Sequence, residues 1–268
     1  MKLPIPLLLG CLALTAVEAQ QTLDPAELEW VSSVAAVLEE KTGQAPEPEQ
    51  LVSTLNGFAV KLYQDGKYRE AIELAQQTWQ YAEQKLGAQH QKSLYALNNL
   101  GQLYQSLGQY DSATPLLERT LRVKEQTFGK EHPSTLISVN NLAGLYQAQG
   151  SYGEAEPLYQ RALRVREAVL GKEHPDTLIS VNNLAGLYKS QGRYGEAEPL
   201  YKRALRVREA VLGKEHPDTL ISVNNLAGLY QSQGRYGEAE PLYQRALRVR
   251  EAVLSKEHPD TLISVNNL

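Results

Sequence analysis

The chain of 268 residues holds a single cysteine, Cys11, and a single long apolar run, and both lie within its first nineteen residues. Lys2 supplies a basic start, Leu3 to Val17 is almost wholly apolar, and Val17-Glu18-Ala19 places small residues on either side of Glu18, the pattern of a secretory leader over residues 1–19. The run is shorter than the roughly 20 residues a membrane helix needs. A product exported and soluble, periplasmic or secreted and without a membrane span, is therefore expected. Removing the leader removes Cys11, so no thiol, no disulfide and no cysteine-based metal site is expected in the mature chain. Leu8-Leu9-Gly10-Cys11 also resembles a bacterial lipoprotein box, which would leave the protein lipid-anchored at Cys11. Against that, Leu9 is larger than the residue usual before the glycine, and the apolar run continues through Leu12, Ala13 and Leu14.

Charge of one sign is equally scarce. Lys and Arg number 27 against 31 Asp and Glu, a net −4, and the signs are interspersed. A nucleic-acid backbone would require a concentrated basic face, so nucleic acid is excluded as the expected partner. No Ser/His/Asp or Cys/His set, no glycine-rich phosphate loop and no solitary carboxylate pair stands apart. Every candidate catalytic group recurs in several near-identical copies, the opposite of a unique active site, so neither a catalytic residue nor a cofactor is expected.

Repetition fills the space that these absences leave. HPDTLISVNNLAGLY begins at His174 and again at His216, with HPSTLISVNNLAGLY at His132, and the period is 42 residues. Units from His174 and His216 differ only at Lys189/Gln231, Lys202/Gln244 and Gly213/Ser255. Sliding the frame back maps His132 onto His90, Asn140 onto Asn98 and Asn56, and Gly150 onto Gly108 and Gly66. Five units result, 48–89, 90–131, 132–173, 174–215 and 216–257, with a truncated sixth over 258–268. A unit of this length cannot bury its own apolar face, so neighbours must stack into a solenoid. Ahead of the array, Asp24-Pro25 and the spacing of Leu28, Val31, Ala35 and Leu38 predict a capping helix over 24–42, in an N-terminal segment of residues 20–47 that ends in a linker.

Each unit reads as two helices. Pro175 at a first-turn position, with Asp176 beside it, opens a helix that meets no breaker until Gly192; a second runs from about Gly195 to Leu212, with Pro199 expected where amides lack helical partners. On the first helix Val181, Leu184, Ala185 and Tyr188 form a buried stripe, and Ile179, Asn182, Gly186 and Lys189 form a second, offered stripe.

Leu184-Ala185, Tyr188, Gly192, Tyr194, Ala197, Leu200-Tyr201 and Ala204 stand in the order and spacing of the tetratricopeptide repeat, and the chain resembles that family over 48–268. The 42-residue period, with HPDT, NNLAGLY and EAEPLYKRALRVRE, resembles the kinesin-light-chain subtype. Glu209 stands near the point where many relatives carry a proline, which fits a longer second helix. The resemblance implies an all-α, right-handed superhelical solenoid of antiparallel helix pairs, with the first helices lining a concave groove that binds a protein or peptide.

The candidate contacts lie on that groove. Asparagine is a poor residue for a helix interior, yet pairs recur at Asn98-Asn99, Asn140-Asn141, Asn182-Asn183 and Asn224-Asn225. An amide both donates and accepts, as an extended backbone requires, so these residues either grip a peptide or bond between adjacent repeats and face water. Gly144, Gly186 and Gly228 each cost about 1 kcal/mol relative to alanine, which close helix packing or close approach of a ligand backbone would offset. Lys189 completes the candidate set. Tyr146, Tyr159, Tyr188, Tyr201, Tyr230 and Tyr243 are assigned to the core, and Arg203, Arg206 and Arg208 to a solvated face. His90, His132, His174, His216 and His258 come one per repeat, about 10 Å apart, too far to share an ion whose ligands bind at about 2 Å; they are assigned to capping.

Two functions fit this pattern. One is an exported scaffold for an extended peptide. The other is the recognition part of a longer protein that carries a C-terminal effector such as a caspase-like protease, since the chain stops inside a first helix at Leu268. The unpartnered stub also raises self-association as an expectation.

Overall fold

Histidine followed by proline starts the first helix of the later repeats by a specific device. His174 adopts an extended conformation (φ −61°, ψ 140°), Pro175 supplies a preset φ, and His174 Nδ1 accepts the Asp176 N–H at 3.2 Å. His132 and His216 do the same for Ser134 and Asp218, and His90 Nδ1 accepts from Lys92 N. These four histidines thus cap the first helices, the role assigned to them from sequence. Gly192 (φ 73°) and Gly213 (φ 93°) turn the chain through left-handed backbone after the two helices of that repeat.

The computed structural model describes residues 29–253 and 259–266. The leader, Cys11, Asp24-Pro25, His258 and Leu268 lie outside the described residues. The helices are α1 Glu29–Thr42, α2 Pro48–Gln64, α3 Tyr68–Leu86, α4 Gln91–Ser106, α5 Tyr110–Phe128, α6 Pro133–Ala148, α7 Tyr152–Leu170, α8 Pro175–Ser190, α9 Tyr194–Leu212, α10 Pro217–Ser232, α11 Tyr236–Val253 and α12 Pro259–Asn266. No strand occurs among the described residues. The chain divides into two compact units, Met1–Ala96 and Leu97–Leu268, with the division falling inside α4.

In the first unit α2 and α3 pack as a pair and α1 lies against both. Leu51, Val52, Leu55 and Ala59 of α2 are buried, as are Ala71, Leu74, Ala75 and Thr78 of α3. Val31 buries the inner face of α1, and Trp30 N–H donates to Gln77 Oε1 at 2.9 Å.

In the second unit each helix from α5 to α12 packs on the next, so every repeat is clamped by its neighbours. Alanines at crossing points (Ala143, Ala155, Ala185, Ala197, Ala227) are fully buried or nearly so and let the backbones approach. Tyr159, Tyr188, Tyr201, Tyr230 and Tyr243 fill the space between them, and Tyr146 is half-buried at the same cluster. Burial pushes the Tyr159 and Tyr201 hydroxyls up to about 12. On the second helices Arg161, Arg203 and Arg245 reach back one repeat to Glu125, Glu167 and Glu209, each at 2.5 Å, while their other arm holds the carbonyls of Lys130, Lys172 and Lys214.

One expectation about backbone needs correcting. Pro199 is the sixth residue of α9, a turn deeper than the amides that lack partners, so the Gly195 carbonyl loses its helical donor. Gly195 is exposed, so its carbonyl is open to solvent rather than buried without a donor. The late second helix does run unbroken through Glu209 to Leu212.

Candidate functional site

A buried cation recurs at the junctions between the later repeats. Ala197, Tyr201 and Ala204 set the inner face of α9, and Arg208, four residues after Ala204, falls on the same face with 7 % of its surface exposed. Its Nη1 donates to the Asp218 carbonyl (3.1 Å) and Ser222 Oγ (2.8 Å) of the next first helix. Arg166 repeats this on Asp176 and Ser180, Arg250 donates to Ser264, and Lys124 donates to the Ser134 carbonyl at 3.3 Å. Burial lowers the pKa of Arg166 and Arg208, opposed by the nearby carboxylates of Asp176 and Asp218; it pushes the Lys124 ammonium down to about 8. Arg208 was read from sequence as part of a solvated face, and that reading is overturned. Its spacing from Tyr201 and Ala204 carried the signal, which its charge masked. Arg206 is exposed as expected, and Arg203 is half-buried in its bridge to Glu167.

The asparagine pairs divide into an inner and an outer member. Asn98 is buried, donates to Gln102 Oε1, and accepts from Asn141 Nδ2 of the following repeat at 2.9 Å. That rung is the inter-repeat bond left open by the sequence. Asn224, with its amide oxygen turned toward Arg250, accepts from both guanidinium nitrogens at 2.9 and 3.3 Å. Asn182 and Asn140 stand at the equivalent place one and two repeats earlier, and their Oδ1 atoms are buried without a hydrogen-bond partner. Asn183 and Asn225, the outer members, are half-buried and line a cavity of 340 Å³ between α8, α9 and α10, with Leu178, Ile179, Val211 and Ile221 forming its apolar part.

The glycines have a packing partner. A Cβ on Gly144, Gly186 or Gly228 would lie 3.4, 3.5 or 3.4 Å from the hydroxyl of Tyr159, Tyr201 or Tyr243, the tyrosine of the same repeat's second helix. There is room for a methyl group and little more. Lys189 Nζ would lie 3.1 Å from such an atom on Gly228, and burial lowers its pKa. Lys189, Asn224, Asn225 and Arg250 line a second cavity, of 430 Å³, in which no carboxylate takes part among the described residues. Gln147 Nε2 donates to Ser190 Oγ at 3.0 Å, so α6 and α8 touch directly. No helix among the described residues is long and apolar enough to cross a membrane.

This architecture, paired helices repeated at 42 residues with small residues at their crossings, defines a class of interaction scaffold. Models of the tetratricopeptide repeat match residues 51–92, 93–134, 134–210, 179–252 and 218–268. The chain belongs to the tetratricopeptide-repeat family. Among solved structures it is similar to a kinesin light chain with nearly identical TPR-like repeats from Podosopora anserina, at 31% identity and TM-score 0.64, covering 78% of this chain and 98% of that one. The fold is also shared with BtubC (BKLC) from P. vanneervenii (23% identity, TM-score 0.65, 87% and 92% covered) and with NprR, solved in complex with its cognate peptide NprX (14%, 0.62, 90% and 66%). No curated protein matches the chain.

Proposed function

We propose that the protein is an exported binding scaffold that holds an extended segment of another protein along the first helices of its repeats, in an array spanning 48–268 behind a leader (1–19) and a capping segment (20–47). The observation that carries this reading is the 340 Å³ cavity between α8, α9 and α10. Its apolar part suits a side chain, and Asn182, Asn183 and Asn225 at its edge suit a backbone. NprR, which shares the fold, holds a peptide. The basic start at Lys2, the apolar run and Ala19 support export. Mass spectrometry of protein expressed with its own N-terminus should find a chain beginning at Gln20; a lipidated Cys11 or an uncleaved product would overturn export.

A peptide selected on the protein from a displayed random library tests the groove. Changing Asn183→Ala together with Asn225→Ala removes two amide contacts worth about 1 kcal/mol each and should weaken that peptide roughly thirtyfold. Unchanged affinity beside an unchanged helical melt would sink the reading.

A further inference from the structure

The cavity at Leu178, Ile179, Arg208 and Val211 has a copy. A second cavity, of 130 Å³, is lined by Leu220, Ile221, Arg250 and Val253, which are the same four positions one repeat later. Ile221 borders both. Because each is built by the same helices shifted by one unit, the distance from one pocket to the next is the distance from one first helix to the next. Those helices touch: α8 contacts α10, as α6 contacts α8. Direct packing places their axes about 8–10 Å apart.

An extended chain can meet that spacing in two ways, and only one keeps its side chains in phase. A β-strand rises about 3.3 Å per residue, so three residues span the distance, but its side chains alternate and every third one points to the opposite face. A polyproline-II helix has three residues per turn and rises about 3.1 Å per residue, so every third side chain returns to the same face after about 9.3 Å. It also makes no internal hydrogen bonds, which leaves its carbonyls for the amides of Asn183 and Asn225. The pocket itself is lined by Glu173 and Asp218 beside Arg208, whereas the adjoining 430 Å³ cavity presents Lys189 and Arg250 with no carboxylate in its lining, so acidic residues of the segment are directed to that adjoining cavity.

Resting on the peptide-groove reading, we infer that the segment held is a polyproline-II stretch with an aliphatic side chain at every third residue, seated in successive copies of the Ile179/Ile221 pocket, and with acidic residues between. Near-identity of the units from His174 and His216 then has a function: a periodic ligand meets the same pocket at each step and gains affinity from repetition.

The test is calorimetry with two blocked synthetic peptides of one composition. The first is five copies of Pro-Glu-Leu; the second has the same fifteen residues with leucines at every second position. The first should bind at least tenfold more tightly. Ile221→Glu should erase that preference, and because Ile221 is 46 % exposed the helical melt should not move. Equal binding of the two peptides, or binding of neither, would overturn the inference, as would dispersal of a peptide-free dimer by Ile221→Glu, which would give the pocket to a second copy of the chain. The two readings fail separately. If library peptides still depend on Asn183 and Asn225 while the two synthetic peptides bind alike, the groove stands and its periodic ligand falls.

Discussion

The repeat in the first unit and the repeat at 174–215 share a frame but solve their cores differently. At 174–215 the first helix carries Gly186 and the second Tyr201; at 48–89 the same two places hold Val60 and Ala75, and at 90–131 they hold Gln102 and Leu117. Volume has moved from one helix to the other. Where a tyrosine enters from the second helix the first has room for glycine or a methyl group, where the second offers alanine the first carries valine, and at 90–131 the close approach moves one place, since a Cβ on Gly101 would lie 2.7 Å from Leu117 Cδ2. The asparagine pair changes in the same way. The inner member persists as Asn56, which is buried and donates to its own helix at the Val52 carbonyl, whereas the outer member has become Gly57. The inner amides Asn56 and Asn98 therefore belong to the scaffold, whereas the outer ones differ from repeat to repeat: Asn141 bonds to Asn98 across repeats, and Asn183 and Asn225 line the 340 Å³ cavity.

The sharpest way to break this comparison is Tyr201→Ala, which imposes the alanine of the first repeat on a helix pair that still has Gly186. It should cost about 3–5 kcal/mol, as other large aromatic truncations do, read as a lower denaturant midpoint. A loss under about 1 kcal/mol would mean that the tyrosine and glycine are not a packing pair.

Next in size is the cation that distinguishes the 90–131 repeat, Lys124 in place of arginine. Its folded-state pKa is lowered to about 8 from 10.5 by burial. Below pH 8 both folded and unfolded chains carry the proton and the full burial penalty is present; between pH 8 and 10.5 the folded chain sheds it first, so stability rises with pH. The rise amounts to about 3 kcal/mol at most. Lys124→Met should remove it from the difference between the two proteins' urea midpoints across that window, and an identical pH profile would refute the assignment.

The smallest effect sharpens the glycine half of the pair. Gly186→Ala puts a methyl group at ordinary contact distance from Tyr201 Oη and adds helix propensity, so it should stabilise by up to about 1 kcal/mol. Gly186→Leu should destabilise, and less so when combined with Tyr201→Leu, a pairing closer to that of the 90–131 repeat. Additive losses in that cycle would separate the two positions.

Much of this was legible beforehand because it is local. The helix starts at Pro133, Pro175 and Pro217 follow from histidine and proline, and the tyrosine core follows from helical spacing. The glycines could be placed in the first helix but their partners could not, since Tyr201 lies on another helix and only packing brings its hydroxyl to Gly186. Arg208 was misread because charge spoke louder than period. The asparagine pairs were found as pairs, yet which member faces inward depends on the rotation of each first helix against its neighbours.

The sequence by itself determined the period, the helix pairs and the near-identity of the later repeats, because propensity, capping and apolar spacing act within one unit. Only the tertiary structure decided that a cation, Lys124, Arg166, Arg208 or Arg250, would be buried at successive junctions, that the glycines answer to tyrosines, and that an apolar pocket is repeated in the last two full units. Those features are made by residues of separate helices, and their geometry exists only once the helices have packed.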